Sequence, residues 1–127
     1  MGMLSWLLQL PFSRRQRIAM KLRGEVSLES FLNDISESPF EREVALSLWH
    51  HLRSQSVEPD FKPSPGDSLI HIYGIAEEEL DEDLILSLLS KHGIPIPDPE
   101  SITSFGPVST PRDVVRFLAH LKRESRP

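Results

Sequence analysis

The sequence contains no cysteine. That absence excludes disulfides, thiolate nucleophiles and thiolate metal sites, and it fits a cytosolic protein. No apolar run approaches the roughly 18 to 20 residues that a membrane-spanning helix needs. There is no glycine-rich phosphate loop, no His-x-x-x-His pair and no calcium-loop spacing. No low-complexity tract or long internal repeat is visible. Residues 1–24 contain no acidic side chain at all, although the whole chain carries a net charge of −5. A negative chain is not a general nucleic-acid binder, and no nucleic-acid partner is expected.

What is present reads as one modest domain. The chain has 127 residues, of which 39% are hydrophobic and 26% charged, with 11 prolines and six glycines used as punctuation. Charge is split along it. Arg14, Arg15, Arg17, Lys21 and Arg23 lie in the acid-free start, whereas residues 77–100 hold eight acidic side chains against Lys91 alone. Such a split points to contact between the ends or to two partner surfaces. The opening "MGMLSWLLQLPF" places its charges after the apolar stretch, the reverse of a secretory signal, and has Trp6 where myristoylation requires Ser or Thr. Leu4, Leu7 and Leu8 share one helical face ahead of "SRRQR". The spacing predicts a helix packed on the body, with docking of residues 1–23 on a membrane surface, another copy or a partner as the alternative.

Helix starts are clearly marked. "SPFE" at 38–41 predicts a capping box of Ser38 and Glu41 with Pro39 at the first helical position, followed by the apolar stripe Val44, Leu48, Trp49 and Leu52. Thr110, Pro111 and Asp113 repeat the arrangement ahead of Val114, Phe117, Leu118 and Leu121. Asp98 and Pro99 open a short helix expected to end near Phe105, and Leu28, Phe31, Leu32 and Ile35 mark another helix before residue 38. In "EEELDEDLILSLLSKHG", Leu80, Leu84, Ile85, Leu88 and Leu89 form a buried face, and Gly93 is placed to terminate the helix. Acidic residues suit a helix N-terminus, but six carboxylates within residues 77–83 repel one another and exceed what capping needs. The surplus points to a recognition surface. The proline-rich connection 56–76 is read as loop with at most one helical turn in "SLIHIYGI". The chain is therefore expected to be all-α, with an N-terminal helical extension at 1–37 and a helical bundle at 38–127.

This order of elements over residues 39–121 resembles the acyl carrier protein family, a small four-helix bundle. "SLIHIYGI", with Leu69 and Gly74, is similar to the segment leading into the family's second helix. "LILSLLSKHGIPIPDPE" resembles that helix's exit and turn, and "STPRDVVRFLAHL" its fourth helix. "GIPIPD" is the most specific part. The resemblance implies a carrier that bears a phosphopantetheine arm on a serine at the start of the second helix, and an acidic helix that docks on basic-surfaced partner enzymes. Counting back from "IPIP", that serine falls at Glu77 or Glu78, and glutamate has no hydroxyl to accept the arm. The family's tripeptide does occur as Asp67-Ser68-Leu69, about ten residues too early. There, Asp67 or Ser68 is expected to bond nearby backbone in a turn. "GDSL" is also similar to a lipase-like motif, but that family's α/β scaffold has no counterpart in the pattern here.

The remaining candidates are weaker. His50 and His51 are adjacent and diverge on a helix, and His71, His92 and His120 are scattered, so all five read as solvent-facing or interfacial. Trp6 and Trp49 read as core or interface anchors. No catalytic residue and no metal site are expected. The expected function is that of a non-catalytic, acyl carrier protein-like module. It would act through an acidic face of Glu77, Glu78, Glu79, Asp81, Glu82 and Asp83, without a cofactor, on a basic-surfaced protein partner. One alternative is a true phosphopantetheine carrier modified at Ser68, which requires the second helix to begin near residue 68 and not near 77. The other is a peripheral membrane adaptor through residues 1–23.

Overall fold

The computed structural model describes residues 10–24, 26–100 and 105–125. They form α1 (Phe12–Arg23), α2 (Leu28–Ile35), α3 (Pro39–Gln55), α4 (Leu69–Tyr73), α5 and α6 (Pro111–Glu124). Helix α5 covers 77–91 as three consecutive segments, Glu77–Glu79, a π-helical Leu80–Ile85, and Leu86–Lys91. No strand occurs among the described residues, so the all-α expectation holds. Pro99, Glu100 and Phe105 are helical, but 101–104, on which the expected short helix also rests, lie outside the described residues.

The caps form largely as the sequence implies. Thr110 Oγ1 accepts from the amide of Asp113 at 3.2 Å, and Asp113 Oδ2 accepts from that of Thr110 at 3.1 Å, closing a reciprocal box at the start of α6. Ser38 Oγ accepts from the Glu41 amide at 3.2 Å. Glu41, however, reaches one residue further back than expected and accepts from the Glu37 amide at 2.8 Å. Helix α5 stops at Gly93, whose φ of +69° only glycine adopts freely. Beyond it the Ile94 amide reaches Leu89 O at 2.9 Å and the Gly93 amide reaches Ser90 O, the paired bonds of a Schellman end.

Helix α3 forms the axis of the core, lying against α6, α2 and the last segment of α5. Val44, Leu48, Trp49 and Leu52 are buried with Leu80, Leu84, Ile85, Leu88 and Leu89 of α5 and Val114, Phe117, Leu118 and Leu121 of α6. Phe31, Leu32 and Ile35 of α2 join the same cluster, and the Phe31 ring meets Trp49 at 5.2 Å between centroids. The π-helical segment narrows the apolar face of α5. Its bonds run from i to i+5, as from the Leu86 amide to Asp81 O, which adds a residue to one turn. Leu84 and Ile85 then both remain on the side of Leu80, in line with Leu88 and Leu89.

The 56–76 connection is held chiefly by α1. Gln16 is fully buried, its Nε2 donating to Ile72 O at 2.9 Å and its Oε1 accepting from the amides of Val57 (3.1 Å) and Glu58 (2.9 Å). Arg23 forks onto the carboxylate of Asp67 and also donates to Lys62 O. Asp67 further accepts from Tyr73 Oη at 2.6 Å and the Ser64 amide at 2.9 Å. Burial, reinforced by the Asp67 charge and hydrogen bond, pushes the Tyr73 hydroxyl pKa far above its ordinary value, so it remains a donor. Phe61, at 0% exposure, sits between the Arg23 guanidinium at 4.7 Å and the Tyr73 ring at 5.6 Å. These interactions tie α1 to the loop and to α4 by side chains more than 40 residues apart in sequence.

Candidate functional site

The acidic start of α5 is placed by its own apolar face. With Leu80, Leu84 and Ile85 in the core, Glu78, Glu79, Asp81 and Asp83 are exposed. Glu79 Oε1 accepts from the Ala76 amide at 3.3 Å, so one of them has a local capping role. Leu86, 40% exposed, continues the outer face one turn on. Glu77 and Glu82 occupy the same helical segments. No cluster of three or more potential metal ligands forms among the described residues. The face therefore offers closely spaced charge with one aliphatic side chain beside it, which suits electrostatic recognition of a cationic surface.

Ser68 lies elsewhere in the fold. It is half-buried and caps α4, its Oγ accepting from the His71 amide at 3.1 Å. The next amide, that of Leu69, donates to Ser109 O at 3.0 Å, which joins this turn to the start of α6. Helix α4 is five residues long and closes at Gly74, with φ +72°, against the ring of Phe12. The acidic helix starts separately at Glu77, with the Leu80 amide bonded to Ala76 O at 2.9 Å. Asp67 and Ser68 both bond nearby backbone, as the turn reading expected, but Asp67 is also the buried partner of Arg23.

The histidines divide. His50 and His71 are exposed. Burial lowers the pKa of His51, opposed by the charge of Asp83 on α5. His92, at the end of α5, meets a residue that no motif pairs with it: its Nε2 lies 3.1 Å from Ser47 Oγ of α3. Burial holds its pKa below the ordinary value, helped by Lys91 and Lys122 and opposed by Glu43. The neutral ring can thus exchange a hydrogen bond with the hydroxyl. A serine–histidine pair is the beginning of a nucleophile–base arrangement, but Nδ1 of His92 has no hydrogen-bonding group to orient it among the described residues. Phe40 packs edge-on to the same ring at 6.1 Å, and Lys122 of α6 lies 4.4 Å above Phe40. The cluster joins three helices. Trp49 is core, at 5% exposure, and Trp6 lies outside the described residues.

The basic start of the chain contributes to two concave features. A cleft of about 750 Å³ lies between the end of α1, the start of α2 and Asp60–Lys62, lined among others by Lys21, Arg23, Ser27 and Ser30. Arg23 is committed there to Asp67. A smaller groove of about 270 Å³ runs along α1, lined by Leu10, Arg14, Arg17, Ile18 and Lys21. The ion pairs of Arg17 and Arg23 are made with Glu58 and Asp67, outside the acidic helix. No helix among the described residues is long and apolar enough to cross a membrane.

Compared with known protein families, with curated protein sequences and with solved structures, the chain gives no match.

Proposed function

We propose that this chain is a divergent acyl carrier protein-like module that works by protein–protein contact, without a phosphopantetheine arm. The reading rests on one observation above all. An acidic helix exposes Glu78, Glu79, Asp81 and Asp83 and carries Glu77 and Glu78 where a carrier would need its serine. The order of elements supports it: long α3, long connection, acidic α5, helical Pro99 and Glu100, and a capped α6. The occupant of the acidic face is a protein with a basic surface, recognised by charge and by Leu86.

A double charge reversal, Glu78→Lys with Asp81→Lys, tests the face. It avoids Glu79, which caps the helix, and Asp83, which acts on His51. Stability should change by no more than about 1 kcal/mol, since the charge lost from the helix start is offset by relief of repulsion among the carboxylates. Salt-sensitive capture of basic proteins from the native cell extract should be lost. An unchanged captured set, with unchanged salt dependence, would refute the docking face.

A second reading keeps Ser68 as the attachment site, although the acidic helix begins at Glu77 and not near residue 68 as that reading requires. Ser68 stands at the start of a helix and is half-buried, not sealed, so a transferase able to displace its hydrogen bond to the His71 amide would find a hydroxyl there. In that case the chain is a phosphopantetheine carrier modified at Ser68. Modification of the intact protein separates the two readings.

A further inference from the structure

We propose that the outer face of α1 is a docking surface for an anionic lipid bilayer. The helix has two distinct faces. Phe12, Gln16 and Arg23 are engaged with Gly74, the 57–58 and Ile72 backbone, and Asp67, and Ala19 and Met20 pack on the core. The opposite stripe is Arg14, Arg17, Ile18, Lys21 and Leu22, at i, i+3, i+4, i+7 and i+8. Leu22 is 80% exposed, which no internal packing explains. Leu10 and Ile18 form the apolar part of the groove between Arg14, Arg17 and Lys21.

The charges on this face are available. Arg14 and Lys21 form no ion pair among the described residues, and Arg17, though paired with Glu58, keeps 59% of its side chain exposed. The surrounding sequence, residues 1–24, has five cations and no anion, and residues 3–8 read Met-Leu-Ser-Trp-Leu-Leu. An aliphatic stripe bordered by long basic side chains, with tryptophan and leucine close by in sequence, has the chemistry of an interfacial helix. The aliphatic groups enter the acyl boundary while the basic heads stay with the lipid phosphates. Since the chain as a whole is negative, attraction to an anionic surface depends on local clusters of basic side chains such as this one, which favours docking through the outer face of α1. Gln16 and Arg23 carry the body along with the helix. The proposal stands independently of the carrier-like reading.

The test is co-sedimentation of the full chain with vesicles of phosphatidylcholine alone, or with about one third phosphatidylserine. Binding is expected only to the anionic vesicles and should weaken with salt. Each basic side chain at such a surface strengthens binding roughly fivefold, so Arg14→Glu with Lys21→Glu should weaken it by at least roughly 25-fold. Leu22→Ser should weaken it about tenfold through lost apolar burial. All three positions are on the outer stripe, so thermal melts should match the wild type. No binding of the wild type to anionic vesicles, or equal binding by the double charge variant, would overturn the proposal. So would salt-sensitive self-association without vesicle binding, which would assign the face to a second copy of the chain.

Discussion

Replacing Asp67 by alanine should destabilise the protein far more than its place in a polar turn suggests. The carboxylate, in a residue 8% exposed, receives the Arg23 guanidinium, the Tyr73 hydroxyl and the Ser64 amide. The side chains of the ion pair are 16% and 7% exposed, so neither charge can turn fully to water. Asp67→Ala leaves a cation, a buried hydroxyl and an amide without their acceptor, and breaking a buried pair from one side costs about 3 to 5 kcal/mol. At the usual unfolding entropy per residue, a chain of 127 residues should then lose roughly 11 to 19 °C in Tm. Asp67→Asn, which keeps an acceptor for Tyr73 and Ser64, should cost about half as much. Arg23→Met combined with Asp67→Leu removes both charges and should cost less than the sum of the single changes. Urea denaturation of the wild type, Arg23→Met, Asp67→Leu and the double variant gives the cycle, with Asp67→Ala and Asp67→Asn measured beside them. A loss under about 1 kcal/mol for Asp67→Ala would mean that the pair behaves like an exposed salt bridge, and α1 would not be clamped to the loop as described.

Two further outcomes follow from the geometry. Gly74 and Gly93 both have positive φ, +72° and +69°, but a Cβ at Gly74 would lie 3.1 Å from the Phe12 ring whereas one at Gly93 meets nothing. Gly93→Ala should cost about 1 to 2 kcal/mol for the left-handed backbone alone, and Gly74→Ala clearly more. Equal losses in Tm would show that the Phe12 contact is not restrictive. For His92, burial above all keeps the folded-state pKa under the ordinary 6.5, so the unfolded chain takes up the proton first as pH falls. The stability this histidine contributes is complete above that value and is lost as pH falls through the lowered folded-state pKa. His92→Gln should therefore show a smaller decline in Tm between about pH 7 and pH 5 than the wild type, whatever its absolute stability. Parallel declines would remove His92 as a source of acid sensitivity.

Much of the helical framework was legible because it is specified locally. Ser38, Thr110 and Gly93 mark helix ends through bonds within a few residues, and the stripes of α2, α3, α5 and α6 repeat at helical spacing. The outward position of Glu78, Glu79, Asp81 and Asp83 followed from the buried leucines beside them. The features that were not legible depend on distant partners. Helix α4, five residues ending at a glycine, is too short to show a period, and it is held by α1 and by Ser109. Gln16 sits between Arg15 and Arg17 and reads as solvent-facing, yet it is fully buried because it meets three backbone groups of the long connection. Arg23 looks like one more surface cation until Asp67 is folded beneath it. Ser47 and His92 are 45 residues apart and carry no motif that would pair them. The π-helical turn of α5 leaves no trace in the pattern, because apolar pairs such as Leu84–Ile85 and Leu88–Leu89 fit the stripe of a regular helix equally well.

A carrier-like chain that bears no arm is distinguished from a true carrier by its intact mass. The protein is incubated with coenzyme A and a permissive phosphopantetheinyl transferase, beside a control carrier that becomes fully modified. The mass should stay unchanged, because Glu77 and Glu78 offer no hydroxyl and Ser68 opens a different helix. A gain of one phosphopantetheine mapped to Ser68 would contradict it and make the chain a carrier with a displaced attachment site.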